Sequence, residues 1–395
     1  MPTLPLSGIK VLDLSTLLPG PLTSLFLAEA GADVVKLERP GRGDEMRSYE
    51  PKLGDASANY AVLNRGKRAF AVDFKDPAQK QRVLELAAEA DIVLEQFRPG
   101  VADRLGLGYA DLSAANPGLI YCSISGYGST GGHTGKAGHD LNYLGESGLL
   151  GTVVDDRGQP SLPVTVMADI AGGTYPALVN ILLALRQRDA SGEGQHIEVS
   201  MAHNLQVLAY GYIATHQASG SWPRPGAEQL TGGSPRYHLY RTADGRFIAC
   251  AALEQKFWAR LLEILGLDED LLDETGREEE AIATLSQVFG AHDSAHWHAV
   301  LDDEDVCTTV VATWEEAVDH GLVVTDNQDR VTTPDGSHAA STLASPLSPG
   351  LRREAGDESY PSLDSLGKGS PWAAAPASSG APAASAAAVR STSPA

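Results

Sequence analysis

Short, mostly apolar runs separated by polar and glycine-rich breaks recur through the first 130 residues. The runs at 9–14 ("IKVLDL"), 33–38 ("DVVKLE"), 70–74 ("FAVDF"), 91–97 ("DIVLEQF") and 118–128 have strand length. Helical spacing falls between them. Residues 21–31 read as a helix with Pro21 in its first turn and Gly31 at its stop. Residues 76–90 read as another, with Val83, Leu84 and Leu86 on its apolar side. Strands alternating with helices predict an α/β fold, a parallel sheet covered on both faces. In such a sheet ligands bind outside the carboxyl ends of the strands.

The pattern continues with a long helix at 169–188. Its apolar C-terminal part is expected to be buried, and Pro176 to bend it. A strand at 194–200 and a helix at 201–217 follow. Then Gly, Ser and Pro dominate 218–236, which reads as a linker. Residues 237–253 form a hairpin turning at Asp244-Gly245, with helices at 255–266, 278–290 and 312–323. The expected organisation is a large domain at 1–217, the linker at 218–236, a small α+β domain at 237–325 and a strand-and-loop segment at 326–368. An Ala/Ser/Pro-rich tail at 369–395 is expected to be disordered.

Composition narrows the functional classes. The chain has 395 residues, 43% hydrophobic and 21% charged, enough for two or three structural units. It has no run of 18 apolar residues, so no membrane partner is expected, and the N-terminal stretch reads as a strand approach rather than a signal peptide. The cytoplasm is the expected location. Cys122, Cys250 and Cys307 are too dispersed for a metal site or a disulfide framework, and no metal is expected. The net charge of -21 argues against nucleic acid as a partner. Acidic runs at 267–280 and 301–306 read as solvated surface. Basic groups gather instead at 38–43, 64–68 and 97–100, where a small anion can be held.

Candidate chemistry centres on two places. Asp169 stands at a helix start, where it is either an ordinary N-cap or a functional carboxylate. Gly172-Gly173 in the same turn would let a ligand approach closely. His139, in "KAGHDLNYLGESG", is either structural or a proton donor and acceptor in a loop after a strand. Asp140 beside it can orient a neighbour or cap the next segment. Glu254 stands where the hairpin meets a helix, as first-turn charge or as a functional group. Arg39 and Arg98 each precede Pro-Gly at a strand's carboxyl end, as surface charges or as phosphate ligands. The loop after the first strand lacks G-x-G-x-x-G, which argues against a nicotinamide dehydrogenase. A P-loop, a nucleophile elbow and an H-E-x-x-H signature are also absent.

The blocks "LSGIKVLDLSTLLPGPLTSLFLAEAGADVVKLERPGRGD", "LNRGKRAFAVDFK", "VLEQFRPGVADRLGLGYADLSAANPGLIYCSISGYGSTG", "MADIAGGTYPALVNILLALRQRDASGEGQHIEVSM" and "DGRFIACAALEQKFWARLLEILGL" resemble, in order, the family III CoA-transferases. That family includes the α-methylacyl-CoA racemases. The resemblance covers roughly 5–330 and, more loosely, the stretch to 368. It implies a large Rossmann-like parallel-sheet domain with a smaller α+β domain, in an interlocked homodimer. The transferase branch uses a carboxylate at the place of Asp169 as nucleophile. The racemase branch carries Gly-His-Asp with Asn and Tyr following, as in Gly138-His139-Asp140-Leu141-Asn142-Tyr143 here. The resemblance thus implies His139 and Asp169 as the acid/base pair, with Glu254 of a second copy pairing with His139. It implies an acyl-CoA substrate held by Arg39, Val72, Asp73, Phe74, Lys75, Arg98 and the segment Ala137, Gly138, Asp140, Leu141, Asn142 and Tyr143. No cofactor is implied, because CoA is part of the substrate. The activity implied is α-carbon racemisation in lipid metabolism. CoA transfer through Asp169 and non-catalytic acyl-CoA binding are the alternatives.

Overall fold

The computed structural model describes residues 3–155, 157–325, 328–367 and 370–373. Six strands of its main sheet come from the first half of the chain: β1 (Lys10–Leu14), β2 (Asp33–Glu38), β3 (Arg68–Ala71), β4 (Ile92–Glu95), β5 (Ile120–Ser125) and β6 (Gln195–Ser200). They lie in the order 3-2-1-4-5-6, and every pairing is parallel. The order reverses between β1 and β4, so the crevice at their carboxyl ends is the switch point where such sheets hold ligands. Alternation assigns the two faces. On β5, Ile120, Cys122 and Ile124 enter one core, and Tyr121 enters the other.

Helix α1 (Pro19–Glu29) follows β1 with Pro19 at its start and every residue buried. The helix α2 (Pro77–Glu89) is capped by Asp76, whose carboxylate accepts the N–H groups of Ala78 and Gln79. β3 runs two residues earlier than its apolar pattern suggests. Its register with β2 ends at Ala71 opposite Glu38, and the Val72 N–H closes the pairing on the Glu38 carbonyl (2.8 Å). Residues 72–75 therefore fall on the carboxyl edge of the sheet.

The helix expected at 169–188 is two helices in series. Residues Ala168–Thr174 form a π-helix, and α4 (Tyr175–Ser191), following the shorter α3 (Asp140–Glu146), continues it. Pro176 lies at the junction, in the first turn of α4, where the missing proline N–H costs no helical bond within α4. Burial is one-sided. Ala177, Ile181, Ala184 and Leu185 enter the core, while Val179 is 54% and Leu183 63% exposed. By length and composition alone, the 24 residues Ala168–Ser191 could cross a membrane. Here their buried stripe lies on the sheet. The helix expected at 201–217 is also broken. A turn at Met201–Asn204 and a 3-10 turn at Leu205–Val207 precede α5 (Tyr210–Ser219). The break keeps Leu205 in the core while Val207 and Tyr210 turn outward.

A second sheet pairs β7 (His238–Arg241) with β8 (Phe247–Cys250) around the Asp244-Gly245 turn, and β9 (Thr308–Val310) adds to β8. Its own core gathers Trp258, Phe289 and Trp297 from helices α6 (Gln255–Leu265), α7 (Glu278–Gly290) and α8 (Ser294–Leu301). The C-terminal segment supplies a small sheet of β10 (Arg330–Thr332), β11 (Ala339–Ser341) and β12 (Asp357–Ser359). It then returns as β13 (Leu363–Ser365) to pair with β3 at the edge of the main sheet. Within the expected tail, residues 370–373 are described, and Trp372 is buried among the main-sheet core residues with the Lys10 ammonium over its ring. Residues 374–395 lie outside the described residues.

Candidate active site

A glycine-rich loop carries the chain from β5 to α3, and the Tyr143 ring explains two of its glycines. A Cβ at Gly126 would lie 2.5 Å from the Tyr143 hydroxyl, and one at Gly138 would lie 2.8 Å from its ring. The hydroxyl donates to the Gly138 carbonyl (2.6 Å), and Tyr127 packs edge-on against the ring. This holds His139 at the N-terminus of α3, with its backbone N–H on the Asn142 side-chain oxygen (3.0 Å) and its side chain exposed.

Asp140 points the other way. It is 8% exposed, and its carboxylate accepts the backbone N–H of Asp169 (3.0 Å). Asp169 is therefore not the N-cap. It sits inside the first turn of the π-helix, which Asp140 caps from 29 residues away. The Asp169 carboxylate accepts no hydrogen bond among the described residues. Burial pushes its pKa up to about 6, the Asp140 charge adds to the rise, and His139 offsets part of it. His139 and Asp169 are thus brought together, with Asp140 as the clamp between their segments. The Gly172-Gly173 pair serves packing, not ligand approach. A Cβ at Gly172 would strike the Met201 carbonyl, and one at Gly173 would crowd Met201 and Pro19.

The remaining predicted residues lie along the carboxyl edge of the sheet. Arg39 follows β2, where it donates to the Gly43 carbonyl (3.0 Å) and pairs with Glu45 (3.2 Å). Asp73, Phe74 and Lys75 follow β3, and Arg98 follows β4. Phe74 meets Phe97 edge-on at 6.1 Å, joining the two loops. Arg98 is exposed and close enough to offset part of the rise in the Tyr143 pKa, which burial and Asp169 still carry to about 12. The Val72 side chain is 1% exposed and belongs to the core, so what this position can offer a ligand is backbone. Tyr143 is likewise buried, whereas Ala137 and Leu141 are open. Glu254 stands at the N-cap position of α6 in the second unit, where its exposed side chain makes no capping hydrogen bond and has no partner among the described residues. No contact within one chain joins it to His139.

One cavity, about 750 Å³, lies between the Gly41–Ala56 and Thr333–Leu363 segments, and neither His139 nor Asp169 lines it. A second, about 280 Å³, opens beside Arg98 between Tyr109, Ser123 and His196, above Glu95. Burial raises the Glu95 carboxyl to about 7.

Charged residues inside the apolar strands are the part of this region that residue-by-residue reading missed. Asp13 and Lys36 are fully buried. The Asp13 carboxylate accepts the Ser15 N–H (2.8 Å), the Ser15 hydroxyl and the Ser24 hydroxyl (2.5 Å), with the Lys67 ammonium 3.8 Å away. Lys36 donates to the Ser15 carbonyl (2.5 Å) and pairs with Asp44 (3.2 Å). Together they hold the β1–α1 turn at the switch point. The Gly20 N–H there, which a phosphate loop would offer to its ligand, is taken by the Gln96 side chain (2.9 Å).

A family model described as CoA-transferase family III matches residues 6–357. The chain is 35% identical over 361 residues to the alpha-methylacyl-CoA racemase of Homo sapiens, spanning 88% of this chain and 89% of that one. It is also 35% identical over 312 residues to the succinyl-CoA:glutarate CoA-transferase of Homo sapiens, spanning 76% and 70%. Among solved structures, a CaiB/BaiF family protein from Brucella suis matches with a TM-score of 0.74 at 28% identity, over 92% of this chain and 95% of that one.

Proposed function

The chain belongs to CoA-transferase family III, and from that premise we propose that it racemises the α-carbon of 2-methyl-branched acyl-CoA thioesters. The observation that supports this reading is the Asp140 clamp between the segments of His139 and Asp169, with the Asp169 carboxylate accepting no hydrogen bond among the described residues. A 1,1-proton transfer needs one base on each side of the α-carbon. Asp169, with a pKa near 6, is ionised at neutral pH yet close enough to it to return a proton, as an acid/base group should be. His139 serves the opposite enantiomer. Removing the α-proton yields an enolate, whose oxygen needs fixed donors. The Asp169 N–H is committed to Asp140, so those donors come from the glycine-rich loop. Arg39, Arg98 and residues 73–75 offer the CoA portion cations and backbone along the strand ends.

The pair faces open surface in a single chain, and a second copy would close it. Support comes from the apolar side chains left exposed on α4 and beyond it, among them Val179, Leu183, Val207, Tyr210 and Trp222. Glu254 of the second copy would then reach His139. The second reading is CoA transfer, favoured by the equal identity to a CoA-transferase. In it Asp169 attacks the thioester carbonyl, CoA leaves as its thiolate, and an acyl-aspartyl anhydride forms.

Incubation of (R)- and (S)-2-methylacyl-CoA in D2O separates the two. Racemisation predicts α-deuteration and loss of configuration from both enantiomers, abolished in His139→Ala and in Asp169→Ala. Passage of CoA to an added carboxylic acid, without deuteration and surviving His139→Ala, would replace the first reading by the second.

A further inference from the structure

Leu17 is one of two non-glycine residues with positive φ among the described residues, at 62°. A leucine there is strained, and such strain persists only where its surroundings enforce it. The enforcement is visible. The Leu17 N–H points at both carboxylate oxygens of Asp44 (3.2 and 3.1 Å). Asp44 is itself 1% exposed, neutralised by Lys36 (3.2 Å), and its own N–H donates to Glu38 (2.7 Å). Glu38 is held in turn by Arg47 and by the Tyr60 hydroxyl, both at 2.7 Å.

The turn so fixed reaches the candidate pair by one further step. Pro19, two residues on, offers its carbonyl to the Thr23 hydroxyl (2.7 Å) and to the Thr174 hydroxyl (3.0 Å). Thr174 is the last residue of the π-helix that begins at Ala168 and contains Asp169, and its hydroxyl also lies 3.4 Å from the Asp169 carbonyl. Leu17 and Leu18 pack on the same buried cluster as Ile170, the neighbour of Asp169. Mutual packing alone would hold the turn near the helix. The strained φ and the buried carboxylate beneath it show that one particular geometry is being enforced.

We propose that Asp44 is a positioning residue for the reaction: by fixing the strained Leu17 turn it sets, through the Pro19–Thr174 bond, the placement of the π-helix that carries Asp169. This rests on Asp169 being a catalytic group. Asp44 touches no substrate and acts only through Leu17, Pro19 and Thr174. Because small misplacements of a reacting group cost much in rate and little in affinity, its loss should appear in kcat before KM.

The test measures α-proton exchange from 2-methylacyl-CoA in D2O for Asp44→Asn, Thr174→Val, Asp44→Asn with Thr174→Val, and Asp169→Asn. Thr174→Val breaks the last bond without unburying a charge, so it decides the matter if Asp44→Asn does not fold. The expected result is kcat lowered by about 10- to 100-fold in each single positioning variant, with KM changed by less than about threefold. The double variant should be scarcely worse than either single one, since both break one path. If Asp169→Asn is inactive while Thr174→Val keeps wild-type kcat, the positioning role is overturned and the reading of the site stands. If Asp169→Asn remains active, the reading of the site falls, and the inference with it.

Discussion

Asp13 and Asp169 are two aspartates at the carboxyl side of one sheet, the first fully buried and the second half-buried, and the pKa values of their carboxyl groups move in opposite directions. Burial raises both. At Asp13 the rise is outweighed by Lys36 and Lys67 and by the Ser15 and Ser24 hydroxyls, so its pKa is lowered. At Asp169 burial is reinforced by the Asp140 charge and only partly offset by His139, so its pKa climbs to about 6. Burial alone does not decide what a carboxylate can do. Asp13 is surrounded by donors and spends its charge on structure. Asp169 has none among the described residues, so its charge is costly, and that cost leaves it able to exchange a proton near neutral pH.

The comparison is broken most forcefully by removing the charges. Asp169→Ala and His139→Ala are each expected to lower racemisation by ~10²–10⁴-fold, read as kcat/KM for deuterium incorporation. Asp13→Asn should instead act on the fold. Removing one partner of a buried ionic group costs about 3–5 kcal/mol, measured by denaturant unfolding at neutral pH. The sign reverses for Asp169→Asn. Because the native pKa lies above the ordinary value, folding binds protons between the two, and the native state loses stability as pH rises through that window. Asp169→Asn is therefore expected to be more stable than the parent above pH 6, by about 1 kcal/mol, in the same unfolding experiment. Asp13 runs the other way. Its contribution is present above the unfolded value and is lost as pH falls through its lowered native one.

The smallest effect sharpens the cause. Asp140→Asn keeps an acceptor for the Asp169 N–H but removes the like charge. The acid limb of kcat/KM, expected near pH 6 in the direction where Asp169 is the base, should move to lower pH. An unmoved limb would assign the shift to burial alone.

Much of this frame is legible along the chain, because strands of one parallel sheet announce themselves as apolar runs between helices. The runs at 33–38 and 118–128 lead to β2 and β5, and the Gly138-His139-Asp140 stretch lies at the N-terminus of α3. Sequence reading does less well where long-range contacts decide. Gly172 and Gly173 look like room for a ligand, but Met201 and Pro19 fill that room. Asp169 looks like a cap because nothing local shows that Asp140, 29 residues earlier, takes its N–H. The exposed stripe of α4 reads as core because periodicity reports apolarity and not what covers it. Asp13 and Lys36 did leave a signal, each a charge inside a run of buried residues. Their partners Lys67 and Asp44 come from other elements, so the network appears only once the strands are side by side.

Side-chain carboxyl titration by 13C NMR, with Asp169 assigned by its disappearance in Asp169→Asn, tests the contrast between the two aspartates most directly. A midpoint near 6 for Asp169, falling in Asp140→Asn, alongside an Asp13 resonance that stays ionised below the usual carboxylate range, is the predicted result. An Asp169 midpoint at the ordinary aspartate value of about 4 would contradict it, and would leave the carboxylate no better matched to proton transfer than one on the surface.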